Sequence, residues 1–291
     1  MKTCIVGYSQ DAGGPEALAL ARALAARGNV QLVVCVVTPA VWGPTSLGVD
    51  QEWGRFVDEE AQAMLQEART LLGELPGTRF ERVAASSPTV GLTQLAEREH
   101  ADLIVLGSAR VGTVGRLLLG GVADELLHAS PVPVAIAPQG FEDPAPLSRV
   151  TAGFSGRDGA RGTMLHALGL AGALQVPLRL ASFAVRDRVA FPSRFGAGPK
   201  PGVFDRWTAH AQASLDEVRA QIAVTGYPVE TAVGVGGDWD EAMAAVEWRQ
   251  GDLLLLGSSR LGALQRVFLG SSAAKIVRAS TVPVLVVPRQ A

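Results

Sequence analysis

The sequence predicts two α/β domains in tandem, each built on a doubly wound parallel sheet of five strands. Three observations carry that expectation. The first is an internal repeat. Residues 103–138, LIVLGSARVGTVGRLLLGGVADELLHASPVPVAIAP, align without a gap on residues 253–288, LLLLGSSRLGALQRVFLGSSAAKIVRASTVPVLVVP, at a constant offset of 150. Sixteen of the 36 aligned positions are identical, which marks an internal duplication. The second is the alternation of short apolar runs with amphipathic stretches, read as β-α-β-α-β-α-β-α-β in each half. The third is that VQLVVCVVTP (30–39) is apolar almost throughout, as strands are when a parallel sheet is covered on both faces.

In the first half CIVGYS (4–9) predicts a strand, QDAGGP a turn, and EALALARALAARG (16–28) an amphipathic helix stopping at Gly28. The strand 30–39 follows, then a loop over 41–54 and a long charged helix over 55–75. FERVAAS (80–86) reads as a short strand and TVGLTQLAERE (89–99) as a helix leading into the repeat. GFEDPAPLS lacks periodicity, so the expected domains are 1–140 and 149–291, with 141–148 as linker. The second half predicts strands at 150–155, 177–185 and 229–236 and helices at 160–174, 205–223 and 238–250. Its stretch 186–204 is rich in Gly and Pro, and reads as a surface loop, a mobile flap or a partner contact.

Composition narrows the function classes. Twenty-six basic residues against 28 acidic ones leave no global charge to steer the chain to nucleic acid or an anionic membrane. Cys4 and Cys35 lie in neighbouring predicted strands and read as buried free thiols. No apolar run is long enough for a signal peptide or a membrane span, so a cytoplasmic location is expected.

Each repeat places a strand, a loop of small residues and a helix start in succession. Unpaired N–H groups and the helix dipole make that arrangement suited to phosphate. The candidate cradle is Gly107, Ser108, Gly112, Gly120 and Gly121 in the first half. In the second it is Gly257, Ser258, Ser259, Gly262, Gly270, Ser271 and Ser272, where the last two serines could cap the helix or donate to phosphate. Arg110 and Arg260 occupy equivalent positions, as do Arg116 and Arg266, and any of them could neutralise phosphate charge, lie solvated or pair with acidic neighbours.

Familiar enzyme patterns are missing. There is no G-x-x-x-x-G-K-[ST], and no G-x-G-x-x-G follows either first strand. His100, His128, His166 and His210 fall at unmatched positions in the two halves and read as surface or helix-end residues. No CxxC or HExxH occurs and no metal site is predicted. Asp238, Asp240 and Glu241 open a predicted helix and read as its cap.

The repeated block resembles the universal stress protein family in its tandem two-domain form, whose nucleotide motif is G-x2-G-x9-G-[ST] after the fourth strand. The spacing is kept in both halves: Gly107-Ser108-Ala109-Arg110, nine residues, Gly120-Gly121, and Gly257-Ser258-Ser259-Arg260, nine residues, Gly270-Ser271. Arginine replaces the second glycine in both, and glycine replaces the terminal Ser/Thr in the first. Ser9 and Ser155 stand where the family has a ribose-contacting aspartate. The resemblance implies two Rossmann-like (adenine nucleotide alpha hydrolase-like) sheets of strand order 3-2-1-4-5. It also implies ATP as ligand, with adenine beside Val36 and Phe183, contacts from Gly7 and Gly153, and phosphates over the two glycine loops reaching Val122.

The expected function is therefore a non-enzymatic stress-response protein with adenine-nucleotide binding in one or both halves. The alternatives are a nucleotide-independent scaffold and, third, a slow ATPase. The two halves are expected to pack together like a dimer, and the apolar last strands (132–138 and 282–288), able to pair edge to edge, suit self-association into a homodimer.

Overall fold

The computed structural model describes residues 2–10, 13–26, 30–40, 48–109, 117–142, 146–154, 160–186, 202–258 and 266–288. The first half runs β1 (Thr3–Gly7), α1 (Gly14–Ala25), β2 (Gln31–Pro39), α2 (Gly48–Leu72), β3 (Arg79–Ala85), α3 (Pro88–Arg98), β4 (Leu103–Gly107), α4 (Gly121–Ala129) and β5 (Val134–Ala137). The second runs β6 (Arg149–Gly153), α5 (Ala160–Leu174), β7 (Leu178–Val185), α6 (Val203–Ala223), β8 (Val229–Gly236), α7 (Trp239–Ala244), β9 (Asp252–Gly257), α8 (Ser271–Ala279) and β10 (Val284–Val287).

The apolar strands build one sheet of ten, in the order β3-β2-β1-β4-β5-β10-β9-β6-β7-β8. Pairing within each half is parallel; the halves meet along β5 and β10, antiparallel, with Val284 opposite Ile136 and Val286 opposite Val134. These two edges occupy one another, so neither is open to a second copy of the chain. Strand direction of progress reverses between β1 and β4, and between β6 and β9, which opens a crevice at the strand ends where the glycine loops begin.

Alternation along the strands sends side chains to two apolar layers, each of which runs through both halves. One joins Cys4, Val6, Val34 and Val105 to α1 and α2, and Val150, Leu180 and Leu255 to α5 and α6. The other joins Ile5, Cys35 and Ile104 to α3 and α4, and Ala181, Leu254 and Val286 to α7 and α8. The two cysteines face opposite layers; burial pushes the Cys35 thiol up to about 12, with the Glu81 charge adding to it, and Cys4 higher still.

The largest departures from the expected helix boundaries are at the start of α2 and the end of α7. The helix α2 begins at Gly48 rather than at residue 55, so the stretch taken for loop is helical up to the undescribed residues 41–47. Gly54 has open space around it and costs the helix only propensity. The helix α7 ends at Ala244 rather than at 250. The cause is tertiary: the Glu247 carbonyl accepts from Arg149 Nη2 at 3.0 Å and from Arg179 Nη1 at 2.7 Å, which draws the chain off the helical path. At its start, α7 is capped as expected. Asp238 accepts from the Glu241 N–H at 2.9 Å, and the Glu241 carboxylate accepts from the Gly237 N–H at 2.7 Å.

Candidate functional site

The strand β4 delivers Gly107 to the crevice, and the next residue closes the loop behind it. Ser108 is fully buried. Its hydroxyl accepts from the Leu118 N–H at 2.6 Å and donates to the Leu118 carbonyl at 3.0 Å, while the Ala109 N–H donates to the same carbonyl at 3.0 Å. Ser258 does the equivalent work, accepting from the Phe268 N–H at 3.1 Å and donating to the Val287 carbonyl at 2.8 Å. Both hydroxyls are thus clasps that hold the two ends of the loop together.

Gly107 needs its small size for a reason internal to the fold. A β-carbon there would overlap the carbonyl oxygen of Gly13, which itself sits at φ +73 in the turn before α1. At Gly257 the corresponding neighbour is the Thr163 hydroxyl of α5. In both halves the chain packs against the side of this glycine that a β-carbon would occupy. Gly7 and Gly153 likewise accommodate the methyls of Leu106 and Leu256, and belong to the packing beneath the crevice.

The helix starts are packed differently. Gly120 is the N-cap of α4 with extended backbone (φ −75, ψ 169), and Gly270 is the N-cap of α8 (φ −73, ψ 160). Neither position makes a side-chain capping hydrogen bond. A β-carbon at Gly121 would meet nothing within 4 Å. Ser271 is exposed and Ser272 half-buried, as is Val122. Both serines lie in the first turn of α8, and the N-cap position itself belongs to Gly270.

Val36 and Phe183 do not occupy equivalent positions in the two halves. Gly7 lies opposite Cys35 and Gly153 opposite Ala181, so Phe183 matches Val37, and Val36 matches Ser182. A one-residue slip exchanges the faces of a strand. Val36 accordingly packs in the α1–α2 layer and Phe183 in the α7–α8 layer. Ser9 is half-buried, and its carbonyl accepts from the Gly14 N–H at 3.1 Å. Arg110, Gly112, Arg116, Ser155, Ser259, Arg260 and Gly262, with most of the 186–204 stretch, lie outside the described residues. Arg266 reaches the other half, donating to the Ala129 carbonyl at the end of α4 at 3.3 Å.

The second half also holds a charge cluster at the opposite end of its strands. Arg149, Arg179 and Asp252 are each at most 5% exposed. Arg149 binds Asp252 through two bonds of 2.9 and 2.7 Å and Glu230 at 2.9 Å. Burial alone would lower the Arg149 guanidinium, but Asp252 and Glu230 more than offset that and it is raised. Arg179 makes a longer 3.4 Å bond to Asp252, bonds of 2.7 Å to the Glu247 carbonyl and 3.1 Å to Thr151, and lies over the face of Trp248 at 4.8 Å. Burial, then repulsion from Arg149, brings it down to about 10, still charged at neutral pH. Two cavities lined by described residues lie away from the glycine loops. One, of about 570 Å³, lies between the end of α2 and Phe80; the other, of about 340 Å³, lies between Pro138–Glu142 and the Trp248–Asp252 turn. Among the described residues no cluster of three or more His, Cys, Asp or Glu could hold a metal ion, and no helix is long and apolar enough to cross a membrane.

A model of the universal stress protein family matches the chain twice, over residues 1–138 and 147–288. The chain belongs to the universal stress protein family. A universal stress protein of Mycobacterium tuberculosis (strain H37Rv) is 36% identical over 291 residues, covering 98% of this chain and 99% of the relative. A universal stress protein of Thermus aquaticus is 39% identical over 141 residues, covering 46% of this chain and 97% of its own length. Among solved structures, a universal stress protein of Archaeoglobus fulgidus superposes with a TM-score of 0.68 at 19% identity, covering 99% of this chain and 98% of that one. That likeness is one of fold. Within this universal stress protein, the residues that sequence reading missed are Arg149, Arg179 and Asp252. The signal was available, since each is a charged residue inside or opening an otherwise apolar strand.

Proposed function

We propose that the chain is a non-enzymatic, cytoplasmic stress-response protein that binds an adenine nucleotide, with phosphates at the starts of α4 and α8. One observation carries the reading: two equivalent helices begin at extended glycines, and among the described residues nothing lies within 4 Å of a β-carbon at Gly121. The N–H groups of a helix start, with the positive end of the dipole, favour phosphate oxygens. The preserved glycine spacing of the repeat supports the same ligand. The motif in the second half ends in Gly270-Ser271 and that in the first in Gly120-Gly121, so the second site is expected to be the tighter. Isothermal titration with ATP should therefore show Gly270→Val weakening binding more than Gly120→Val. Among the described residues a β-carbon at Gly120 would meet Ala109 at 3.4 Å, an ordinary contact. No heat from the wild type at millimolar ATP, or the reverse order of the variants, would refute the assignment.

A nucleotide-independent scaffold is favoured by one finding, that the small residues at Gly107 and Gly257 serve internal packing. Size exclusion with light scattering separates the readings. With β5 and β10 occupied by each other, we expect the mass of one chain, 30.3 kDa. ATP should leave that mass unchanged under the nucleotide reading. A larger assembly, the same with and without ATP, would favour the scaffold.

A further inference from the structure

The starts of α4 and α8 are joined by a short chain of bonds. The last carbonyls of a helix have no partner within it. In α4 these carbonyls are taken by the second half: the Leu269 N–H donates to Leu127 at 2.9 Å, the Val267 N–H to Ser130 at 2.8 Å, and Arg266 to Ala129 at 3.3 Å. Beside them the His128 ring stands edge-on to Phe268, with centroids 5.4 Å apart. The residue after Leu269 is Gly270, the N-cap of α8. Gly120, a nine-residue helix of about 13 Å, the Leu127–Leu269 bond and Gly270 therefore form one connected path. The reciprocal bonds, from the Leu117 and Leu119 amides to the end of α8, are not made among the described residues.

We propose that occupancy of the first site strengthens the second through α4. This rests on the nucleotide reading above. Phosphate at the α4 start and the amide and guanidinium donors at its end each stabilise the same dipole, one at each pole. Binding at Gly120–Gly121 thus firms the bonds at Leu127, Ala129 and Ser130. Those bonds fix Leu269, and with it the N-cap of the second site. Coupling is reciprocal, so occupancy of the second site also favours the first.

The test uses the full chain with ATP as probe. Ser271→Asp places a carboxylate at the exposed first turn of α8, where it suits the helix but repels phosphate, leaving one competent site. Saturating that variant with ATP should slow hydrogen exchange of the Val267 and Leu269 amides about fivefold or more, the lower end of ordinary coupling. In the wild type, calorimetry should show the second ATP binding tighter than independent sites allow. His128→Ala and Phe268→Ala should keep two sites and bring the two steps closer to independence. One bound ATP in Ser271→Asp with unchanged exchange at both amides overturns the coupling alone. Absence of any ATP binding to the wild type overturns the nucleotide reading and the coupling with it.

Discussion

Asp252→Asn is expected to lower the stability of the second half by about 3–5 kcal/mol, the usual loss when one partner of a buried ion cluster is removed. The magnitude follows from what stays behind. Arg149 and Arg179 remain at most 5% exposed, and the remaining carboxylate, Glu230, is largely exposed and bonded only to Arg149. Urea unfolding of wild type and variant measures the loss, and one below about 1 kcal/mol would show that water or rearrangement relieves the two guanidiniums. The first half supplies the contrast. Asp102 holds the position equivalent to Asp252 in the repeat, but it is exposed and accepts from the Lys2 and Thr3 N–H groups at 2.5 and 3.0 Å. Its partial burial raises its affinity for a proton, the two N–H bonds outweigh that, and the net pKa is lowered from 3.8. A carboxylate so depressed contributes stability that is complete above its unfolded value and vanishes as pH falls through the folded one. Asp102→Asn should therefore be mildly destabilising at neutral pH and indistinguishable from wild type well below pH 3.8.

Gly107→Ala should cost about 3 kcal/mol, at the upper end for an overpacked core, and Gly257→Ala less than half of that. The added methyl group is the same; the obstacle differs. At Gly107 it is the backbone carbonyl of Gly13, held at φ +73, which no rotamer change can withdraw. At Gly257 it is the Thr163 hydroxyl, which can swing away. Hydrogen exchange along β4 and β9 would report the two halves separately. Equal losses in the two variants would mean that the Gly13 turn moves as readily as a side chain.

Much of the architecture was legible because the repeat carries it. From β4 to β5 and from β9 to β10 no residue is inserted or lost, so matching loops and helix starts could be aligned directly. Outside the repeat the offset is no longer 150. Cys4 lies opposite Leu32 and Leu103, Val150 opposite Leu178 and Leu253, so the second strands match at an offset of 146. Val36 and Phe183 stand one residue out of this register, and in a strand one residue is the difference between faces. The end of α7 was hidden for another reason. Its last residues keep a helical pattern, but the Glu247 carbonyl is held by Arg149 and Arg179, 98 and 68 residues away in sequence. At the candidate site, glycine at 107 and 120 looked alike in sequence. One fills a tight contact between backbones, and at the other a β-carbon would meet the Ala109 side chain at an ordinary 3.4 Å, a distinction only coordinates make.

The antiparallel joint between β5 and β10 has a consequence for how this molecule can change. When two identical subunits meet about a two-fold axis, every substitution appears on both sides at once, so the contact must remain self-complementary. A covalent tether removes that requirement and keeps the partners at high effective concentration. The joint already uses the freedom. His128 meets Phe268, whereas the corresponding residues of the other half are Arg278 and Leu118. A synthetic chain of two first halves would set Leu118 against His128, and one of two second halves would set Phe268 against Arg278. Neither would reproduce the native contact, which makes the halves of this gene product specialists that cannot be exchanged.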